Sequence, residues 1–152
     1  MCDITYSHEI GPEDLADVAM DLRAPERADF ERTWGSVERA LEVAVAHSAE
    51  VVKATGDEGL LGLFGVGVDD RGCGVPWLAL CNTASRHPFT VARATRDWVG
   101  RYLENFDHLS NEVPADDEDA IRLLEFAGFT VRRDPVVLRA GHPYFYFWAD
   151  RG

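Results

Sequence analysis

Lysine is nearly absent from this chain: Lys53 stands alone against fourteen arginines. With the many alanines and glycines, that bias reads as the coding habit of a GC-rich genome rather than as a binding surface. Cysteine is also scarce. Cys2, Cys73 and Cys81 form no disulfide framework and have no metal-ligand spacing, so they read as small apolar thiols. No apolar run approaches the ~20 residues of a membrane span. The opening MCDITYSHEI lacks the basic start and apolar core of a secretory leader, so a cytoplasmic protein is expected. There is no Gly-x-Ser-x-Gly elbow and no P-loop. His8, His47, His108 and His142 include no pair with metal spacing, so they read as surface or satisfied core histidines and no metal is expected.

Positive charge is short overall. The formal net charge is −12, which disfavours a general nucleic-acid binder. It is unevenly spread. Residues 1–70 carry sixteen Asp/Glu against five Lys/Arg, a net of −11, whereas residues 71–101 carry five Arg against one Asp, a net of +4. A basic segment therefore sits inside an acidic protein. The length, 152 residues, suits one domain, 1–152, around one core.

What is present reads as alternating strands and helices. ITYSHEI (4–10) alternates as a strand does. Gly11-Pro12-Glu13-Asp14 opens a helix, with proline at the first position and acids in the first turn. Leu15, Val18, Ala19 and Leu22 form its stripe, and Pro25 ends it. Ser36 caps a second helix with Val37, Ala40, Leu41, Ala44 and Ser48 on one face. Residues 49–55 and 60–69 pair as antiparallel strands across the turn 56–59. VPWLALC (75–81) is an almost unbroken apolar run, as in a strand covered on both faces, and Pro76 marks a start or a bulge.

NTASRHP (82–88) reads as a polar loop. Pro88 starts a third helix reaching Phe106, with Ala92, Thr95, Val99, Tyr102 or Leu103, and Phe106 as its stripe. Arg96 lies beside that stripe, where its stem snorkels and its head finds a carboxylate. HLSNEV (108–113) is a strand. DEDAIRLLEFAGF (117–129) is a helix: Asp117 or Asp119 caps it, Ala120, Leu123, Leu124 and Ala127 form its stripe, and Gly128 sits where a positive-φ cap belongs. FTVRRDPVVLRA follows as a strand broken near Asp134-Pro135. Gly141-His142-Pro143 turns into the aromatic strand YFYFW (144–148). The order is β α α β β β α β α β β, an α+β (mixed α/β layer) fold with one central mixed sheet flanked by helices.

This order resembles the GNAT acetyltransferase fold over nearly the full chain. The segments VPWLALCNTASRHPF, RDWVGRYLENFDHLSNEV and DAIRLLEFAGF further resemble a GNAT-like group of short-tailed bacteriophages, the internal virion protein A group. Leu109, Asn111 and Val113 match its Leu-x-Asn-x-Val, and Ala120, Ile121, Arg122, Leu124 and Gly128 match its helix. The resemblance implies acetyl-CoA as cofactor, entering between the strands 75–81 and 108–113, with its pyrophosphate at the following helix N-terminus. The positions it implies are Leu80, Cys81, Asn82, Ser85, Arg86, His87 and Asn111.

Departures bear on activity. GNAT enzymes usually carry glycines at the strand-to-helix turn, where backbone must approach phosphate; 82–88 has none, and Pro88 removes a donor. The helix position at which many of them carry a proton-donating tyrosine is Leu124. Asp117 stands where an asparagine often begins that helix. No Glu lies in 75–81, and Glu112 is the nearest carboxylate. No catalytic residue is therefore assigned.

Two clusters keep two readings. Arg86, His87 and Arg93 form either a phosphate cradle or a solvated helix start with partners in the acidic N-terminal half. Asn111 bonds either a pantetheine amide or neighbouring backbone. The phage resemblance implies a virion-assembly or virion-associated protein with acetyl transfer lost or reduced, in the cytoplasm of an infected cell or in the virion. The alternative is an acetyl-CoA-dependent N-acyltransferase. An aromatic closing strand and an acidic half point to a protein partner or a homo-oligomer.

Overall fold

Proline and glycine punctuate the chain at most of the boundaries that the structure adopts. The computed structural model describes residues 3–152; Cys2 lies outside them. Its elements are β1 (Thr5–Ser7), α1 (Pro12–Asp21), α2 (Ala24–Trp34), α3 (Val37–His47), β2 (Ser48–Gly56), β3 (Gly59–Val68), β4 (Gly74–Leu80), a 3-10 turn (Asn82–Arg86), α4 (Pro88–Asn105), β5 (His108–Pro114), α5 (Glu118–Ala127), β6 (Thr130–Arg139) and β7 (His142–Asp150). The hydrogen-bonded strand order is β1-β2-β3-β4-β5-β7-β6. The pairings β1/β2, β2/β3, β5/β7 and β6/β7 are antiparallel and β4/β5 is parallel. This is a mixed α+β sheet flanked by helices, as the sequence predicts.

The chain forms two compact units. One comprises residues up to Gly67 with Trp77–Thr90, the other Val68–Pro76 with Val91–Gly152. In the first unit, α1 and α3 bury most of the stripes read from the sequence; Leu15 and Ala44 are partly buried, and Ser48 opens β2 instead of extending α3. Val18, Ala19, Leu22, Val37 and Leu41 form a core with Leu63, Ala79 and Cys81. Ser36 caps α3, accepting the Arg39 N–H at 3.1 Å. Gly11 stands before α1 and donates its N–H to the Asp14 carboxylate at 2.9 Å, which also pairs with Lys53 at 3.1 Å.

Other readings of this unit change. The first strand is three residues long, not seven. α1 ends at Asp21, ahead of Pro25, which lies in the first turn of a further helix, α2. The sequence hides α2 because APERADFERTW has no apolar stripe, and the helix buries none of its residues fully.

In the second unit, α5 follows the sequence closely. Asp117 accepts the Ala120 N–H at 3.2 Å. Gly128, at φ +108°, closes the helix by donating to Glu125 O at 3.2 Å, and Phe129 N donates to Leu124 O at 3.0 Å. The buried face is Ile121, Leu124 and Ala127, rotated slightly from the predicted stripe. In α4 the buried face is Val91, Ala94, Thr95, Trp98, Val99 and Tyr102; Ala92 is only half-buried. The Arg96 guanidinium lies 5.5 Å from the centre of the Phe126 ring, so a ring face rather than a carboxylate receives it.

The predicted break in β6 is present: the Asp134–Pro135 peptide is cis and the β6/β7 register shifts between Arg132 and Val137. The turn into β7 is Ala140-Gly141, both at positive φ, so His142 already belongs to the strand. That strand is not an edge. β7 lies between β5 and β6, and arginines of β6 cover its rings: Arg132 over Tyr146, Arg133 over Phe145 and Arg139 over Tyr144. The edge is β6, whose arginines and Pro135 protect it as charge and proline protect exposed edges generally.

Candidate functional site

Leu80 ends β4, and Cys81 to His87 follow it in the first unit as one continuous segment. Leu80 and Cys81 are buried. Cys81 N donates to Leu61 O at 2.9 Å, and Cys81 makes an isolated bridge with Leu22. Burial, with Asp21, Glu26 and Asp17 nearby, pushes the Cys81 thiol up to about 12. A thiol held neutral is no nucleophile, which removes a catalytic cysteine here. β3 makes room for β4 with glycines. A β-carbon on Gly62 (φ +152°) would sit 2.4 Å from Ala79 O.

The predicted loop 82–88 is a 3-10 turn over Asn82–Arg86. Ala84 N donates to Cys81 O and His87 N to Ala84 O, both at 3.0 Å. Two carboxylates from distant sequence bind the turn. At its start, Asp21 accepts from Asn82 Nδ2 at 3.2 Å, from Thr83 Oγ1 at 3.0 Å and from Thr83 N at 3.4 Å. At its end, Glu58, on the two-residue turn between β2 and β3, accepts from Arg86 Nη1 at 2.7 Å. His87 Nε2 lies 3.4 Å from the other Glu58 oxygen and is shielded from solvent with no hydrogen bond. The Arg86 guanidinium holds the Glu58 carboxyl below its ordinary range, His87 adding a smaller effect in the same direction.

Arg86 and His87 thus face a carboxylate of the acidic N-terminal half. Ser85 is exposed and Pro88 opens α4. Arg93 is exposed on α4. Asp21 and Glu58 escaped sequence reasoning because they lie 61 and 28 residues from their partners. Nothing local marks either one.

Asn111 belongs to the second unit. Its Nδ2 donates to Pro76 O at 2.9 Å and its Oδ1 accepts Glu112 N at 2.8 Å. Both bonds are to backbone. β4 and β5 register at one pair, Gly74 with Leu109, and two residues further on the Asn111 amide takes the place of a ladder donor to Pro76. Gly74 is needed there: a β-carbon would meet Leu109 Cδ2 at 2.5 Å. Glu112, the carboxylate considered for a base, accepts from Arg139 Nη2 at 2.6 Å. His108 lies between Asp150, 2.6 Å from Nδ1, and the Tyr146 hydroxyl, 3.3 Å from Nε2. Among the described residues, no group of three or more His, Cys, Asp or Glu is placed to hold a metal, and no helix is long and apolar enough to cross a membrane.

No protein-family model matches this sequence, and no curated protein matches it. Solved structures match its fold. The aminoglycoside acetyltransferase AAC(6')-Ib, in complex with ribostamycin and coenzyme A, superposes with a TM-score of 0.72 at 16% identity, over 97% of this chain and 93% of that one. Spermidine N-acetyltransferase from Vibrio cholerae, in complex with CoA and spermine, gives 0.65 at 13% identity over 97% and 95%. A protein from Desulfovibrio desulfuricans described as a GNAT-family acetyltransferase gives 0.64 at 20% identity over 99% and 100%. At such identities the likeness establishes the fold, which is that of the GNAT acetyltransferases. The narrower resemblance to phage internal virion proteins gains no support from them.

Proposed function

We propose that the protein is an acyl-CoA-dependent N-acyltransferase with an amine acceptor. The observation that carries this reading is the match of nearly its whole length to N-acetyltransferases crystallised with CoA. Fold alone does not fix function, so the residues must be weighed.

The side chains of the turn fit the proposed cofactor. Arg86 supplies positive charge and His87 a ring nitrogen for a diphosphate where α4 begins, with Asn82 and Ser85 on the same turn and Leu80 and Cys81 leading into it. Bound acyl-CoA would supply the activated thioester. Leu124 cannot protonate a leaving thiolate, so that proton falls to water. The glycine-free turn, with Asp21 and Glu58 already on it, predicts weak cofactor affinity and slow turnover.

The test is thiol release from acetyl-CoA at millimolar concentration with a panel of polyamines, aminoglycosides and peptide amines. Mass spectrometry of the acceptor confirms transfer. Release that depends on amine is expected, and none above buffer with any amine sinks the reading.

The same two carboxylates favour a second reading, in which the fold is kept and acyl transfer is lost. On the sequence resemblance alone, the chain would then be a bacteriophage assembly or virion component, acting in the infected cytoplasm as a homo-oligomer or with a phage or host protein. Light scattering at micromolar concentration and a pull-down from infected cells test it. A 16.9 kDa monomer without a partner counts against this second role.

A further inference from the structure

We propose that Glu58 is a built-in competitor for the anion-binding pair Arg86 and His87, so that a diphosphate-bearing ligand binds there by displacing it. The proposal rests on the acyltransferase reading only for the identity of that ligand as acyl-CoA.

The geometry is that of an occupied anion site. Each Glu58 oxygen faces one basic side chain, Oε2 at 2.7 Å from Arg86 Nη1 and Oε1 at 3.4 Å from His87 Nε2. A guanidinium accepts a carboxylate or a phosphoryl group through the same paired oxygens. The second contact is unfinished: His87 Nε2 is shielded from water and makes no hydrogen bond. A phosphoryl group has three oxygens and more negative charge, so it can complete both contacts where the carboxylate completes one.

Displacement is easy here. The Arg86 and Glu58 side chains are 69% and 42% exposed, and exposed ion pairs of this kind are weak. Glu58 sits at the tip of a two-residue hairpin turn, and a carboxylate released there returns to water. The 3-10 turn does not need it. Its start is held by Asp21, and its backbone bonds Ala84 N to Cys81 O and His87 N to Ala84 O are internal. Removing the Glu58 charge should therefore leave the turn folded and both basic side chains available.

The experiment is calorimetric titration of the full chain and of Glu58→Gln, Arg86→Gln and the double variant, with inorganic pyrophosphate and with coenzyme A. Circular dichroism verifies the fold of each. Glu58→Gln should bind pyrophosphate roughly 3- to 10-fold more tightly at low ionic strength, the range open to loss of one exposed charge pair. The gain should shrink as salt screens the pair, and it should vanish in the Arg86→Gln background. Tighter pyrophosphate binding without any coenzyme A binding would support the role of Glu58 and overturn the acyltransferase reading. Coenzyme A bound equally by wild type and Glu58→Gln would overturn the role of Glu58 and leave that reading standing. Pyrophosphate bound by neither would also overturn it, as would a gain that persists without Arg86.

Discussion

Trp77 of β4 lies across Gly65 of β3: a β-carbon on Gly65 would sit 2.3 Å from Cε2 of the indole. The ring cannot retreat freely, because its Nε1 donates to Ser48 Oγ at 2.8 Å. Gly65→Ala should therefore destabilise the protein by about 1–3 kcal/mol, the usual cost of overpacking. Gly100 is the control. It lies in the middle of α4 with open space around its missing β-carbon, so Gly100→Ala should stabilise by about 0.5–1 kcal/mol. Chemical denaturation of both variants reads the contrast, and equal midpoints would contradict the packing described.

Gly128 meets nothing within 4 Å, so its role is conformational. At φ +108° a side chain is strained, and Gly128→Ala should cost about 1 kcal/mol or more. Gly128→Asn should cost less, since asparagine tolerates left-handed backbone. An unchanged melting midpoint for the alanine variant would show that α5 ends differently.

Asp14 should make stability pH-dependent in acid. The Gly11 N–H, followed by Lys53, holds its carboxyl below the ordinary value of 3.8. A carboxylate with a folded-state pKa below the unfolded one stabilises fully above the unfolded value. That contribution is lost as pH falls through the folded value. Asp14→Ala should cost about 1 kcal/mol at pH 7 through the lost bond at the start of α1. The difference from wild type should close below about pH 3.8. A difference that persists undiminished at pH 2 would refute the assignment.

Cys81 should resist alkylation in the folded protein. Its side chain is 1% exposed and burial keeps the thiol neutral, while reaction requires thiolate. In a Cys2→Ser background, a thiol reagent at pH 8 should label Cys73 in the native state and Cys81 only after denaturant. Rapid native labelling at Cys81 would mean that the strand end opens.

Acetyl-CoA should bind wild-type protein with a dissociation constant above about 1 μM, which corresponds to less than ~8 kcal/mol of binding free energy. The reason is the glycine-free turn with Asp21 and Glu58 upon it. A submicromolar constant by calorimetry would require phosphate contacts beyond those the turn offers.

Local chemistry was legible in the chain. Asp117 and Gly128 announce the ends of α5 because a helix is capped by residues one turn away. Ser36 announces α3 for the same reason. The apolar run at 75–81, the interruption at Asp134-Pro135 and the missing glycines at 82–88 are also properties of neighbouring residues, and the structure keeps all of them. α2 was not legible, since its charged face has no stripe and it owes its place to Phe30 against the core.

What sits opposite what was decided only by tertiary structure. YFYFW became an inner strand because β7 pairs with both β5 and β6, and strand neighbours are chosen by long-range hydrogen bonding that no local pattern encodes. The candidate site divides along the same line. Arg86 and His87 were visible as a basic pair. Their closure by Glu58 arises because folding brings the β2–β3 turn against a segment 28 residues away. Charge pairing across that separation depends on the path of the backbone, and side-chain identity alone does not specify that path.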